Sequence, residues 1–335
     1  MRKLRASTLL LIILMVSVKM AKAQQTGIFS QYYLNMPSQN PAFTGIDPFL
    51  DVKAGFRQSW NDFANKNNAY YVTANGSVGE KSGYVLKNNA LRVSDESFTP
   101  SQSARRHHGL GGMALSQTIG AFKYLRLNIN YAYHLPVSDN LNLALGTRIA
   151  YSSHEIDYSG MEVRDQVNDQ LYQSLLAVGA GKFQNMLIDF GITMYSDNFY
   201  IGVSTVNLVN EDAGSDQVGD IEEEKSYKAN IGYAWPLNPN FDLLPSADFT
   251  YSDLYGLTWQ GTARLRFKEM VYLGFSYEND VRASLLFGLS FEKKYSFHYS
   301  YDYFTHDLND FNKGNHEFAI GIFLFNKYSK NSKFW

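Results

Sequence analysis

Residues 257–267 read LTWQGTARLRF, and apolar and polar side chains alternate along them. The odd-numbered positions from Leu257 to Phe267 are apolar or small, and the even-numbered positions, such as Gln260 and Arg264, are polar. Successive side chains of a β-strand point to opposite faces. The pattern therefore predicts a strand with one face suited to lipid and the other to water.

The same alternation recurs along the chain in segments about as long as the 9 to 11 residues that a tilted strand needs to cross a bilayer. It predicts fourteen strands, at 49–60, 69–78, 109–118, 123–134, 140–152, 185–195, 199–206, 226–235, 241–251, 257–267, 270–278, 283–292, 295–303 and 316–325. Bacterial single-chain barrels have even strand numbers, so both chain ends lie on the same side of the membrane.

Short and long connections alternate between these strands, as they do in outer-membrane barrels. The short ones are 136–140, 196–198, 236–240, 267–270 and 292–294. The long ones lie near 153–184, 207–225 and 304–315. This parity predicts periplasmic turns, external loops, and N- and C-termini in the periplasm. One connection, 79–108, is long where a short turn is expected.

A soluble β-sandwich also alternates, but two features favour a barrel. The 24 Tyr and 23 Phe often fall near predicted strand ends, as aromatic girdles do at the membrane interfaces. No Pro/Gly/Ser linker divides the chain into two domains. We therefore expect an all-β fold, a transmembrane antiparallel up-and-down barrel.

The first residues predict export. Arg2, Lys3 and Arg5 precede an apolar run at 8–18, and Ala21-Lys-Ala23 is a typical cleavage site, so 1–23 is a predicted signal peptide. The remaining chain divides into an N-terminal segment at 24–48, a barrel at 49–325 in the outer membrane and a tail at 326–335.

Composition and motifs argue against several function classes. Without the signal peptide the chain has 25 Lys and Arg against 32 Asp and Glu, a formal charge of −7, which disfavours nucleic acid. The chain has no Cys, which excludes disulfides and thiolate chemistry. We find no catalytic constellation and expect no enzyme activity, no cofactor and no small-molecule substrate.

Two polar stretches are candidate metal sites. His107-His108 is interpreted as a solvated turn in preference to a metal site, because it follows Arg105-Arg106 in a polar stretch. The acidic run 211–224 lacks the spacing of a calcium loop. We therefore expect no metal.

Four polar side chains are predicted to face the barrel lumen: Arg126, His134, Arg264 and Arg266. The arginines would either select anions or pair with acidic residues across a filled barrel. A barrel of this size can otherwise enclose an open lumen.

The segment before the first strand, at 29–45, reads FSQYYLNMPSQNPAFTG. Here the chain resembles the PorP/SprF family of type IX secretion system outer-membrane proteins of Bacteroidota. The matching residues are Phe29, Ser30, Gln31, Tyr32, Asn35, Asn40, Pro41, Ala42 and Gly45. The resemblance continues through Phe56-Arg57, 109–111, 131–134, Tyr301-Asp-Tyr303 and His316-Glu317. It departs at 79–108 and at Asn315.

The resemblance implies a non-enzymatic role in protein export, with the other outer-membrane components of the secretion system as partners. The barrel would help to capture, translocate or anchor a cognate secreted protein, such as a large adhesin with a type B C-terminal sorting domain, and gliding motility is one process that such adhesins serve. The alternatives are a porin or uptake channel for small solutes and a barrel-embedded hydrolase, for which we find no nucleophile and base.

The N-terminal segment has two possible roles. It either plugs the lumen or presents Tyr32, Tyr33 and Asn40 as a periplasmic docking surface, and the alternative to both is a tether that buries Phe29 and Phe43 against the barrel base. The candidate residues are Phe29, Gln31, Tyr32, Asn35, Asn40, Pro41 and Gly45. The long external loops are the expected contact surface for a partner, and the acidic loop 207–225 favours a basic patch on it.

Overall fold

The computed structural model describes residues 29–59, 67–79, 106–138, 140–157, 167–170, 173, 181–214, 223–305 and 314–326. The predicted signal peptide, most of the connection 79–108 and nearly all of the predicted tail lie outside these ranges. Among the described residues, no helix has the length and apolar character needed to cross a membrane.

Within the described ranges the chain forms fifteen antiparallel strands. They are β1 (Leu50–Ser59), β2 (Asn67–Val78), β3 (His107–Ile119), β4 (Phe122–Pro136), β5 (Asn142–Ile156), β6 (Gly181–Tyr195), β7 (Phe199–Asp212), β8 (Ser226–Tyr233), β9 (Trp235–Asn238), β10 (Phe241–Ser252), β11 (Gly256–Phe267), β12 (Val271–Glu278), β13 (Arg282–Phe291), β14 (Tyr295–Phe304) and β15 (Asn315–Leu324).

The strands close into a barrel. β1 pairs with β15 from Leu50 opposite Leu324 to Gln58 opposite His316, so the first and last strands are neighbours. β10 pairs with both β8 and β11, which completes the ring. β9 continues the line of β8 after Ala234 and also pairs with β10. Counting β8 and β9 as one, the predicted fourteen-strand antiparallel barrel is confirmed.

Several strands extend beyond their predicted bounds. β5 continues to Ile156, β6 begins at Gly181 and β7 continues to Asp212. Most residues of these extensions are polar or small, so the alternation that marks a lipid-crossing segment is lost there although the backbone pairing goes on. The predicted turn at 236–240 is shorter than expected, because residues 235–238 form β9.

The two faces of the wall are chemically opposite. Ile129 in the middle of β4 is 72% exposed, whereas its neighbours Asn128 and Asn130 are 8% and 2% exposed. Large apolar side chains therefore face outward, where lipid removes the cost of their exposure to water, and small or polar side chains face the lumen. In β11 the apolar positions of residues 257–267 face outward and the polar positions face the lumen.

Tight turns close the barrel at the end where β1 begins. Lys268 and Glu269 both have positive φ angles, 47° and 54°, and Glu292 and Lys293 repeat this at 53° and 50°. Two consecutive residues in this conformation form the hairpin turn whose twist matches that of the strands. The predicted short turns between β11 and β12 and between β13 and β14 are thus tight hairpins, with three residues between the paired strand ends Phe267–Val271 and Phe291–Tyr295.

Three tyrosines inside the barrel lie over glycines of the neighbouring strand. Tyr71 covers Gly55, and Tyr272 covers Gly288 directly opposite it. Tyr200 on β7 covers a glycine of β8 in the same way. A side chain at these glycines would overlap the tyrosine ring, so each pair fixes the register of its two strands.

Candidate functional site

Residues 30–49 lie inside the barrel, and we call residues 29–49 the plug. Its side chains are almost completely enclosed: Gln31 is 1% exposed, Tyr32 3% and Asn40 0%. Phe29 is half-buried against Tyr71 at a ring centroid distance of 4.6 Å. The described part of the segment 24–48 is therefore in the lumen. The alternative in which Tyr32, Tyr33 and Asn40 form a periplasmic docking surface is wrong, because these side chains face the interior of the barrel.

The plug is attached near its start to a buried cluster of charges. Ser30 donates its backbone N–H to Glu317 Oε2 at 2.8 Å and its hydroxyl to Asp302 Oδ2 at 2.6 Å. Arg57 donates to both carboxylates, at 3.0 Å and 2.6 Å, and to the Ser30 hydroxyl at 2.8 Å. Charged groups out of contact with water require such complete pairing, so this contact holds the plug firmly to β1, β14 and β15.

Asn40 fixes the middle of the plug. Its side-chain oxygen accepts the backbone N–H of Ala42 at 2.9 Å, and Pro41 occupies the first turn of the short 3₁₀ helix that follows. Its amide nitrogen donates to Thr193 Oγ1 at 3.0 Å and to the Val203 carbonyl at 3.1 Å. The sequence Asn-Pro-Ala therefore caps a turn and joins that turn to β6 and β7.

Glycines in the wall allow the plug backbone to lie directly on the strands. A Cβ at Gly109 would overlap the carbonyl of Thr44, and one at Gly146 would overlap the backbone of Ala42. Gly45 itself has φ +78° and lies against Gly109. The match between this segment and its wall is thus a close steric fit as well as a set of polar contacts.

Two stacked histidines hold the end of the plug. The rings of His107 and His134 are 4.2 Å apart and nearly parallel. Their Nε2 atoms lie 3.0 Å from the Gly45 carbonyl and 2.8 Å from the Thr44 carbonyl. The interpretation of His107-His108 as a solvated turn is wrong for His107, which begins β3 and is buried. The polar residues before it conceal the start of this strand.

The four residues predicted to face the lumen do so, and the three arginines have partners. Arg264 lies 3.7 Å from the ring centre of Tyr33 in the plug, a cation–π contact. Arg266 pairs with Asp242 at 3.0 Å. These contacts support pairing within a filled barrel over the selection of anions.

Arg126 belongs to a second polar cluster, which joins the plug to the β7–β8 connection. Arg148 donates to the Ser38 carbonyl in the plug at 2.7 Å and forms a short ion pair with Asp189. Arg126 lies 3.5 Å from the same carboxylate and 3.8 Å from Glu223. A line of charged side chains thus runs from the plug to Glu223.

Glu223 anchors the described end of the β7–β8 connection. Its carboxylate accepts hydrogen bonds from His154 Nε2 at 3.0 Å and Tyr124 at 3.2 Å. Burial alone would raise the pKa of Glu223, but the hydrogen bond from His154 and the positive charge of Arg126 lower it to about 2. This carboxylate is therefore ionised over the physiological pH range.

A small cavity of about 50 Å³ lies between the plug and the first two strands. Met36, Phe43 and Ile46 of the plug line it together with Asp51 and Lys53 of β1. This volume holds a few water molecules. Among the described residues, no group of His, Cys, Asp or Glu is arranged to hold a metal ion. The calcium candidate at 211–224 lies partly outside the described ranges.

The anchoring residues Ser30, Arg57, Asp302 and Glu317 were not predicted as site residues. Each occurs within a short motif that carries the family resemblance. The alternation within the predicted strands could have identified three of them, because Arg57, Asp302 and Glu317 are ionisable residues at lumen-facing positions.

The family described as "Type IX secretion system membrane protein PorP/SprF" matches the chain over residues 21–322. Comparison with curated proteins gave no match. Among solved structures, the Ralstonia pickettii toluene transporter TbuX is 12% identical, with a TM-score of 0.50 over 86% of this chain and 92% of its own. The CymD monoaromatic hydrocarbon channel is 12% identical, with a TM-score of 0.49 over 89% and 92%. The likeness to TbuX shows a shared barrel fold.

We expect Gly109→Ala to destabilise the barrel by about 1–3 kcal/mol, because the new methyl group overlaps the plug backbone at Thr44. The matched control is Gly261→Ala, where the nearest atom is a Trp259 ring carbon at 3.5 Å. Urea unfolding in lipid vesicles, followed by gel mobility, measures both. Equal stability of the two variants would contradict the close contact.

We expect Glu223 to stabilise the protein in a pH-dependent way. Its pKa in the folded protein, about 2, lies below the ordinary value of 4.5. Its contribution is therefore complete above about pH 4.5 and is lost as the pH falls towards 2. The difference in Tm between the wild type and Glu223→Gln should shrink as the pH falls from about 4.5 towards 2. A difference independent of pH would refute the assignment.

Proposed function

Because this chain belongs to the PorP/SprF family of type IX secretion system membrane proteins, we propose that its barrel binds a cognate secreted protein and helps to capture, translocate or anchor it at the cell surface. The role is one of binding and does not involve catalysis. Its partners are the secreted protein, such as a large adhesin with a type B C-terminal sorting domain, and other outer-membrane components of the secretion system.

The filled lumen is the observation that carries this proposal. The plug occupies the lumen and is attached to the wall by the Arg57, Asp302 and Glu317 cluster. Lumen-facing side chains that would line a channel are instead bonded to the plug or to each other. A rigid, closed barrel is suited to present surfaces at its two ends, since its interior is already occupied.

We assign the tight-turn end of the barrel to the periplasm. The tight turns that contain Lys268-Glu269 and Glu292-Lys293 fall at that end, and short turns are typical of the periplasmic side. The connections between β5 and β6, between β7 and β8 and between β14 and β15 belong to the opposite end, and most of their residues lie outside the described ranges. This orientation supports a cell-surface contact for the secreted partner.

The described edge of the external end carries exposed negative charge. Glu211 and Asp212 end β7 and are exposed. Such charge favours a basic patch on the partner and accelerates encounter more than it strengthens binding. The charged edge therefore offers a direct way to test the proposal.

The test is to extract the tagged protein in mild detergent and identify what co-purifies. We expect a large secreted protein with a C-terminal sorting domain, and we expect Glu211→Lys to reduce its recovery several-fold. Asp197→Lys, an exposed acid in the β6–β7 turn at the other end of the barrel, is the control. Recovery of the barrel alone, or an equal loss in both variants, would contradict surface capture of a secreted protein.

The channel alternative has a separate test in planar bilayers. We expect the intact protein to be silent because the plug fills the lumen, and deletion of 24–45 to create ion conductance through the polar lumen. Conductance of the intact protein that is unchanged by the deletion would instead support a diffusion channel for small solutes.

A further inference from the structure

The lipid-facing wall of the barrel carries an apolar groove of about 470 Å³ that extends from β6 across β7, β8 and β10 to β11. Its rims are formed by Phe190, Ile192, Val203, Tyr227, Phe249 and Tyr251. Thr205 and Ala229 lie between these bulky side chains. The groove is therefore a narrow depression with large walls and a floor of small residues.

The pairing of the strands explains the depression. One row of facing residues runs Ile192, Val203, Ala229 and Phe249, so a methyl group occupies a position between large side chains. In the next row, Thr205 lies between Phe190 and Tyr227. Small residues at the centre of both rows leave a continuous space along the wall.

A β-bulge borders the groove. Phe190 faces Thr205 but Ile188 faces Val209, so β7 has three residues opposite Asp189. The bulged Asn207 has φ +57° and donates its N–H to Asp189. Such bulges bend the strand and re-aim nearby side chains, and here the regular ladder between β6 and β7 is interrupted beside the groove.

We propose that this groove binds one acyl chain of a membrane phospholipid. The groove opens onto the outer face of the barrel, so its surroundings are already the hydrocarbon of the bilayer. A flexible chain can lie along the floor between the rims. A flat protein surface would rest on the rims and leave the floor empty, and an empty space has lost the dispersion contacts of its lining.

One end of the groove lies close to the end of β10. Tyr251 is near the end of β10, and its hydroxyl donates to Asp253 in the turn that follows. Tyrosine is enriched at membrane–water interfaces because its ring is apolar and its hydroxyl is hydrated. Phe190, in the middle of β6, is at the other end of the same row of facing residues, so the groove runs across the strands from β10 to β6.

This site does not depend on the proposed secretion function. The test uses purified barrel in mild detergent with added palmitoyl-oleoyl phosphatidylethanolamine, and native mass spectrometry counts the lipids retained. We expect the wild type to retain one lipid per chain and Ala229→Trp, which fills the groove, to lower the lipid-bound fraction at least tenfold. Ala114→Trp on the outer face of β3 is the matched control and should keep the lipid.

Folding of each variant is checked by its mobility in unheated gels, and Ala229→Leu replaces the tryptophan variant if that variant does not fold. Equal lipid retention in the wild type and the groove variant would overturn the proposal. So would a dimer of this chain that disappears with the substitution at Ala229, because a second copy would then occupy the groove.

Discussion

The structure depends on the pairing of polar groups that lie inside a wall whose outside meets hydrocarbon. Arg57, Asp302 and Glu317 are almost completely buried, and water is largely absent around them. Ser30 of the plug donates hydrogen bonds to both carboxylates. Removing one member of such a cluster leaves an uncompensated charge. Wall and plug therefore form one cooperative unit, and the barrel is a scaffold whose interior is set by its own N-terminal segment.

The strands could be predicted from the sequence because the two environments of a barrel wall leave a period of two in the side chains. That signal is strong at Leu257–Phe267 and weak at the end of the wall opposite the tight turns, where the extensions at 153–156, 181–184 and 207–212 are mostly polar or small. Local alternation predicts the part of a strand that crosses the lipid. It does not predict how far the strand continues beyond the apolar belt.

The site was less accessible to prediction. Arg264 was expected in the lumen, but its partner Tyr33 comes from a segment with no strand pattern. Ser30 and Glu317 are separated by 287 residues, and no local pattern reports a contact at that distance. His107 was assigned to a turn because its polar neighbours hide the start of β3. The resemblance at 29–45 correctly drew attention to the plug, although it did not say which wall residues would hold it.

The attachment of Ser30 to β14 and β15 has a consequence for biogenesis. The earliest part of the plug is held by the last two strands to be synthesised, and β1 closes the barrel against β15 at the same place. Attachment of the plug and closure of the barrel therefore depend on contacts at the same place. Until β14 and β15 have been delivered, the plug lacks the carboxylates that hold Ser30, so a nascent chain stays incompletely assembled up to that point.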